Sequence, residues 1–111
     1  MATYPLINSV ATECQPEAEE KFNKWYNEVH IPLLLKFKGI KKVTRYKIVE
    51  KSEEHPTYLA IYEFESRQAY EKYLKSPELA AAREEMKETW KDGGFEVKWR
   101  VPYDTMKSWG E

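Results

Sequence analysis

Hydrophobic positions along the chain switch between a period of two and a period near 3.6, and the switches mark out its elements. Thr3 to Ala11 carries Leu6, Ile7 and Val10 with no helix start signal and reads as a first strand. Pro16 then stands at a first helical position, followed by Glu17, Glu19 and Glu20, carboxylates suited to the positive end of a helix dipole. Ala18, Phe22, Trp25, Tyr26 and Val29 share one helical face. This helix is expected to break close to His30, because Pro32 disfavours helical geometry at Ile31. A short further turn over Pro32 to Phe37 leads to Gly39. Val43 to Glu50 and Thr57 to Phe64 read as strands, joined by the polar hinge Lys51-Ser52-Glu53-Glu54-His55-Pro56. Ser66 is a candidate cap for a helix through Leu74, and Ser76-Pro77-Glu78 starts another. Leu79, Ala82, Met86 and Trp90 run down the buried face of that helix, and Gly93-Gly94 stops it. Phe95, Val97, Trp99 and Val101 finally alternate with Glu96, Lys98 and Arg100, the pattern of a half-buried strand.

The order is β-α-β-β-α-β, the ferredoxin-like arrangement of the α+β class, with two helical segments on one face of a four-stranded antiparallel sheet. Helices on one side leave the other sheet face open. Tyr46, Tyr58, Tyr62 and Trp99 lie on the strands, and an aromatic-rich face on a small domain points to a partner or a ligand. A second copy of the chain is the simplest partner, since a two-fold interface needs only one self-complementary patch.

Composition narrows the classes. The 111 residues make one domain, 1–111, with a core able to stand without metal or disulfide support. Lys plus Arg (18) against Asp plus Glu (19) leaves a formal charge of −1, so no global basic field draws the chain to nucleic acid or an anionic membrane. One cysteine, Cys14, makes no internal disulfide and has no basic neighbour in sequence to favour its thiolate. Met1-Ala2-Thr3-Tyr4-Pro5 lacks the basic stretch and apolar run of a signal peptide, and no apolar run approaches a membrane span; a cytoplasmic location is expected.

The densest candidate chemistry is Trp25-Tyr26-Asn27-Glu28-Val29-His30-Ile31-Pro32-Leu33. At the end of a helix, His30 would sit where the negative dipole favours the imidazolium, a poise useful to a general base or acid. The plainer alternative is a histidine that caps helix carbonyls. Phe22, Trp25, Tyr26 and Val29 at helical spacing read first as core. His55 reads as a solvated loop residue, and two distant histidines without acids at ligand spacing give no metal signal. The lysines from Lys36 to Lys51 raise the question of RNA, since RNA-recognition domains share this element order. The third strand, His55-Pro56-Thr57-Tyr58-Leu59-Ala60-Ile61-Tyr62, lacks the leading base and first glycine of their signature. Those lysines read as a solvated rim.

The run Phe22-x-x-Trp25-Tyr26-x-Glu28-x-His30-x-Pro32-Leu33, then Gly39-Ile40 and a basic strand ending near Tyr46, resembles the EthD-like proteins of the dimeric α+β barrel superfamily. Tyr62-Glu63-Phe64-Glu65-Ser66, Ala69 and Ser76-Pro77-Glu78 resemble the same superfamily's third strand and second helical region, so the likeness spans most of residues 3–102. It implies two ferredoxin-like protomers whose sheets face each other and enclose a cavity. Relatives include cofactor-independent monooxygenases, polyketide cyclases, muconolactone-type isomerases and haem-degrading enzymes. The resemblance implies an enzyme for a small, mostly apolar, aromatic or polyketide-like molecule. His30 would be the catalytic acid or base, and Tyr26, Tyr46, Tyr62 and Trp99 would bind substrate, with Arg45 or Asn8 assisting. It calls for no organic cofactor; haem, with His30 as axial ligand, is the alternative. A ligand-binding or stress protein without turnover and a purely structural dimer are the other readings. The tail from Tyr103 to Glu111 has no counterpart in the family pattern.

Overall fold

The computed structural model describes residues 4–110. Strand β1 (Leu6–Cys14) leads through a 3-10 turn (Pro16–Ala18) into α1 (Glu19–Trp25), a π-helical turn (Tyr26–His30) and α2 (Ile31–Leu34). Then come β2 (Ile40–Lys47), β3 (Tyr58–Phe64), α3 (Arg67–Leu74), α4 (Pro77–Thr89) and β4 (Phe95–Asp104). The strands form one antiparallel sheet in the order β2-β3-β1-β4, which is the ferredoxin-like topology. All the helices lie on one face.

Both expected caps are present. Ser66 Oγ accepts from the Ala69 N–H at 2.9 Å and Ser76 Oγ from the Leu79 N–H at 3.1 Å, each satisfying a donor that the first helical turn leaves free. Gly93 and Gly94, at φ of 83° and 124°, turn the chain out of α4 in a conformation that side chains disfavour. The first strand differs from expectation at both ends. Its expected start, Thr3, lies outside the described residues, and it runs on past Ala11 because Thr12 pairs with both Tyr58 and Val97. Strand β2 begins three residues earlier than Val43, since an edge strand accommodates Lys41 and Lys42 pointing to water.

Two corrections reach the site. The helix does not break at His30. Ile31 is helical (φ −61°, ψ −45°) and its N–H donates to the Tyr26 carbonyl, a reach of five residues that defines the π turn. Widening by one residue accommodates Pro32, which has no N–H and whose ring would press on the carbonyl four residues back. His30 therefore stands inside a continuous helical segment, away from any free helix end. The second correction concerns β4, which does not alternate throughout. A bulge opposite Ala11 and Thr12 shifts its register, so that Thr12 faces Val97 while Ala11 faces Trp99 and Val10 faces Arg100. Phe95, Val97 and Arg100 consequently point to the helices, and Trp99, Val101 and Tyr103 to the open face.

The same register divides the tyrosines. Tyr58, Ala60, Tyr62 and Phe64 on β3 are buried beneath the helices. Tyr46 and Trp99, 53% and 41% exposed, lie on the opposite face with Ile7, Leu59 and Ile61. The core centres on Phe22, fully buried, whose ring lies 5.1 Å from Phe95, 5.4 Å from Tyr58 and 5.5 Å from Tyr26. Among the described residues no helix is long and apolar enough to cross a membrane.

Candidate functional site

Between the sheet and the helices lies a cavity of about 70 Å³. One ordered water needs roughly 10–15 Å³, so the space admits several waters or one small organic group. Asn8, Val10 and Thr12 of β1, Tyr62 of β3 and Val97 of β4 floor it. Trp25, Tyr26, His30 and Leu34 roof it, and Tyr70, Tyr73, Leu79 and Met86 wall it. Its lining runs outward to the exposed Leu74, Arg83 and Arg100, which form its mouth.

The π turn positions the roof. Residues five apart come into line there, and the His30 ring stacks on Trp25 (4.7 Å between centroids, 25° between planes) and meets Tyr26 edge-on at 5.1 Å. Trp25 is fixed in turn by donating its Nε1 hydrogen to Glu85 Oε1 at 2.9 Å. Burial pushes the His30 pKa down from 6.5 to about 4, with Glu85 opposing the shift and Arg100 adding to it. The ring is a neutral imidazole at neutral pH, opposite to the imidazolium that a helix-end position suggested. Its Nδ1 is buried and has no hydrogen-bond partner.

Tyr26 and Tyr62 share a buried hydrogen bond of 2.9 Å between their hydroxyls. Burial raises both pKa values, that of Tyr62 strongly, so both remain neutral phenols. Arg45, from β2, places its guanidinium 4.4 Å from the centre of the Tyr26 ring and donates to Asn27 Oδ1 and Asn23 Oδ1, each at 2.9 Å. It thereby locks the π turn to the sheet without lining the cavity. Tyr58 donates to Glu19, which also meets Lys47 at 3.6 Å. Asn8 sits beside Tyr62 in the β1–β3 register, and its Oδ1 is buried without a partner.

Of the residues expected at the site, His30, Tyr26 and Tyr62 converge on this cavity, and Asn8 joins them. Tyr46 and Trp99 do not: strand parity puts Tyr46 on the open face, and the β4 bulge does the same for Trp99. Arg83, Arg100, Tyr70 and Tyr73 were not expected. Asn8 carried a visible signal, being an amide between the inward Leu6 and Val10 of an apolar strand, whereas Arg100 was hidden by the bulge. Cys14 lies apart, its thiol pKa raised chiefly by burial. Among the described residues no group of three or more His, Cys, Asp or Glu could hold a metal ion.

Strand order and the helices on one face define a ferredoxin-like α+β domain, a fold shared with EthD-family and dimeric ferredoxin-like proteins. The chain belongs to the family described as "Domain of unknown function (DUF4286)", which matches it over residues 6–100. An EthD family protein from Bacillus halodurans is similar in structure, with a TM-score of 0.65, 16% identity, and 91% of this chain and 99% of the other covered. A dimeric ferredoxin-like protein from an uncultured marine organism gives a TM-score of 0.73 at 19% identity, covering 96% and 99%. A monooxygenase from Streptomyces coelicolor, in complex with nanaomycin D, gives 0.64 at 14% identity, covering 97% and 93%. No curated protein matches the sequence. A haem does not fit here: a space of about 70 Å³ takes a small group, not a porphyrin, and His30 is pressed flat against Trp25 rather than turned towards an open axial position.

Proposed function

We propose that the protein is a homodimeric small-molecule enzyme of EthD-like type. It acts on a small, mainly apolar, aromatic or polyketide-like substrate in the cavity between sheet and helices. The reaction is proton transfer next to a carbonyl or phenol, the step that opens cofactor-free oxygenation, cyclisation or isomerisation. His30 takes the proton, and Asn8 with the Tyr26–Tyr62 pair holds the substrate's oxygen-bearing end. One observation carries this reading: His30 and Asn8, each with a buried polar atom (Nδ1 and Oδ1) that has no partner, line one cavity whose deep walls are otherwise mainly aromatic and aliphatic. Each such atom costs about 1–3 kcal/mol, a cost that a ligand donor relieves. The complex of the Streptomyces monooxygenase with nanaomycin D supports a small-molecule ligand for this fold.

The test is hydrogen–deuterium exchange next to the carbonyl of small aromatic ketones in D2O, followed by proton NMR. The wild type is expected to accelerate exchange, and His30→Gln to lose that acceleration by a factor of about 100 or more. Exchange at the solvent rate despite measurable binding would overturn catalysis. It would establish a second reading, a ligand-binding protein without turnover. That reading has its own support in the His30 pKa of about 4, which makes the imidazole a weak base at neutral pH.

A further inference from the structure

We infer that the ligand of this cavity is an anion, with an apolar or aromatic body inside and a carboxylate held at the mouth between Arg83 and Arg100. The inference rests on the cavity being the working site and goes on to name the class of molecule. Arg83 comes from α4 and Arg100 from β4, so two cations reach the same opening from different walls. No Asp or Glu lines the cavity.

Among the described residues neither guanidinium has a carboxylate within ion-pair distance or a side-chain hydrogen bond. The other two arginines of the chain are engaged: Arg67 meets Asp104 at 3.4 Å, and Arg45 donates to two asparagines. Two unpaired cations at one opening repel each other, and a carboxylate between them relieves that repulsion. The planar guanidinium fork matches carboxylate geometry.

The β4 bulge strengthens the argument. In an unbroken alternation Arg100 would point away from the face that carries Val97; the extra residue turns both toward the helices. Bulges are the fold's means of re-aiming a side chain beside a site. Because Arg100 lies on the helix-covered face, association of two chains through the open sheet face leaves it free. The deep end of the cavity is unsuited to charge, with neutral tyrosines, a neutral imidazole and aliphatic walls. That places the anion outside and the apolar body within.

The experiment titrates the full chain with phenylacetate, phenylpropanoate and hexanoate, each against the primary alcohol of the same skeleton. Binding is read from tryptophan fluorescence and from the His30 NMR signals. The acids are expected to bind about 10-fold more tightly than the alcohols at low salt, a preference that shrinks as salt screens the exposed arginines. Arg83→Gln and Arg100→Gln should each remove most of that preference by weakening acid binding more than alcohol binding, while Arg67→Gln, outside the cavity, should change neither. Thermal midpoints close to wild type would show that the variants fold. Alcohols that bind as tightly as acids, or a preference that survives both substitutions, would overturn the anionic ligand and leave the cavity reading standing. If neither acids nor alcohols bind, the cavity reading fails with it.

Discussion

His30 is an imidazole that its surroundings keep uncharged, and this couples its titration to folding. The ring titrates near 6.5 in the unfolded chain and near 4 in the native protein. Between those values the unfolded chain takes up a proton that the native protein refuses. Stability from this source is therefore intact above about pH 6.5 and falls as pH drops towards 4, by up to about 3 kcal/mol. Urea denaturation of the wild type and of His30→Gln at pH 7 and pH 4.5 tests this: the wild type should lose stability over that interval and the variant should lose clearly less. The Tyr26–Tyr62 pair allows a second test at the same site. Tyr62→Phe leaves one buried hydroxyl alone and should cost about 1–2 kcal/mol. The Tyr26→Phe, Tyr62→Phe double variant should recover most of that, because removing both partners leaves nothing unsatisfied. A double variant whose loss equals the sum of the two single losses would show that the hydroxyls do not act as a pair. The sequence displayed the histidine, its aromatic neighbours and even the odd asparagine, but not the sense of the pKa shift, which depends on Trp25 and Tyr26 closing over the ring.

Gly39 shows how the helical segments are pressed onto the sheet. It joins α2 to β2, and a Cβ there would lie 2.9 Å from the Ala69 Cβ on α3 and 2.5 Å from the Phe37 ring. The ring can swing aside; the methyl of Ala69 is fixed to the helix. Gly39→Ala should therefore cost about 1–3 kcal/mol in thermal or urea unfolding through overpacking, and the Gly39→Ala, Ala69→Gly pair should recover part of it. Full wild-type stability in Gly39→Ala would show that α3 yields freely at this junction. Caps, the diglycine stop and the alternation of β3 were legible because each is a local rule acting over a few residues. The π turn and the β4 bulge were not, because both are one-residue insertions into regular patterns. Pro32 favours the first only when the chain on both sides remains helical under its tertiary contacts. The second shows only in the pairing of β4 with β1. Each places a site residue, the π turn for His30 and the bulge for Arg100, so the local irregularities of this fold and its candidate chemistry coincide.

The helices cover one face of the sheet and hold the cavity, which leaves Ile7, Tyr46, Leu59, Ile61, Trp99, Val101 and Tyr103 on the other. An antiparallel sheet that faces water on one side ordinarily carries polar residues there, and this one sets aliphatic and aromatic side chains around Ser9 and Thr44, with Lys42, Glu63 and Glu96 also on that face. Pairing two such faces gives the closed dimer proposed above, with an interface large enough for stability when each partner buries about 800 Å². Tyr62 is no part of that interface, so the residue to alter is Ile61, which faces Ser9 and Thr44 at the centre of the open side. Light scattering on the wild type at micromolar concentration should give about twice the 13.2 kDa of one chain. Ile61→Glu should lower that to the mass of one chain, because a carboxylate facing its own symmetry mate in an apolar interface has no partner. Tyr46→Glu, nearer the sheet edge, should weaken association less, and Lys24→Glu on the exposed side of α1 should leave the mass unchanged. Since the cavity lies behind the sheet, the monomeric Ile61→Glu variant should still bind the small acids. A wild type that runs as a monomer, or a dimer indifferent to Ile61→Glu, would place the interface elsewhere and leave the apolar face to another partner.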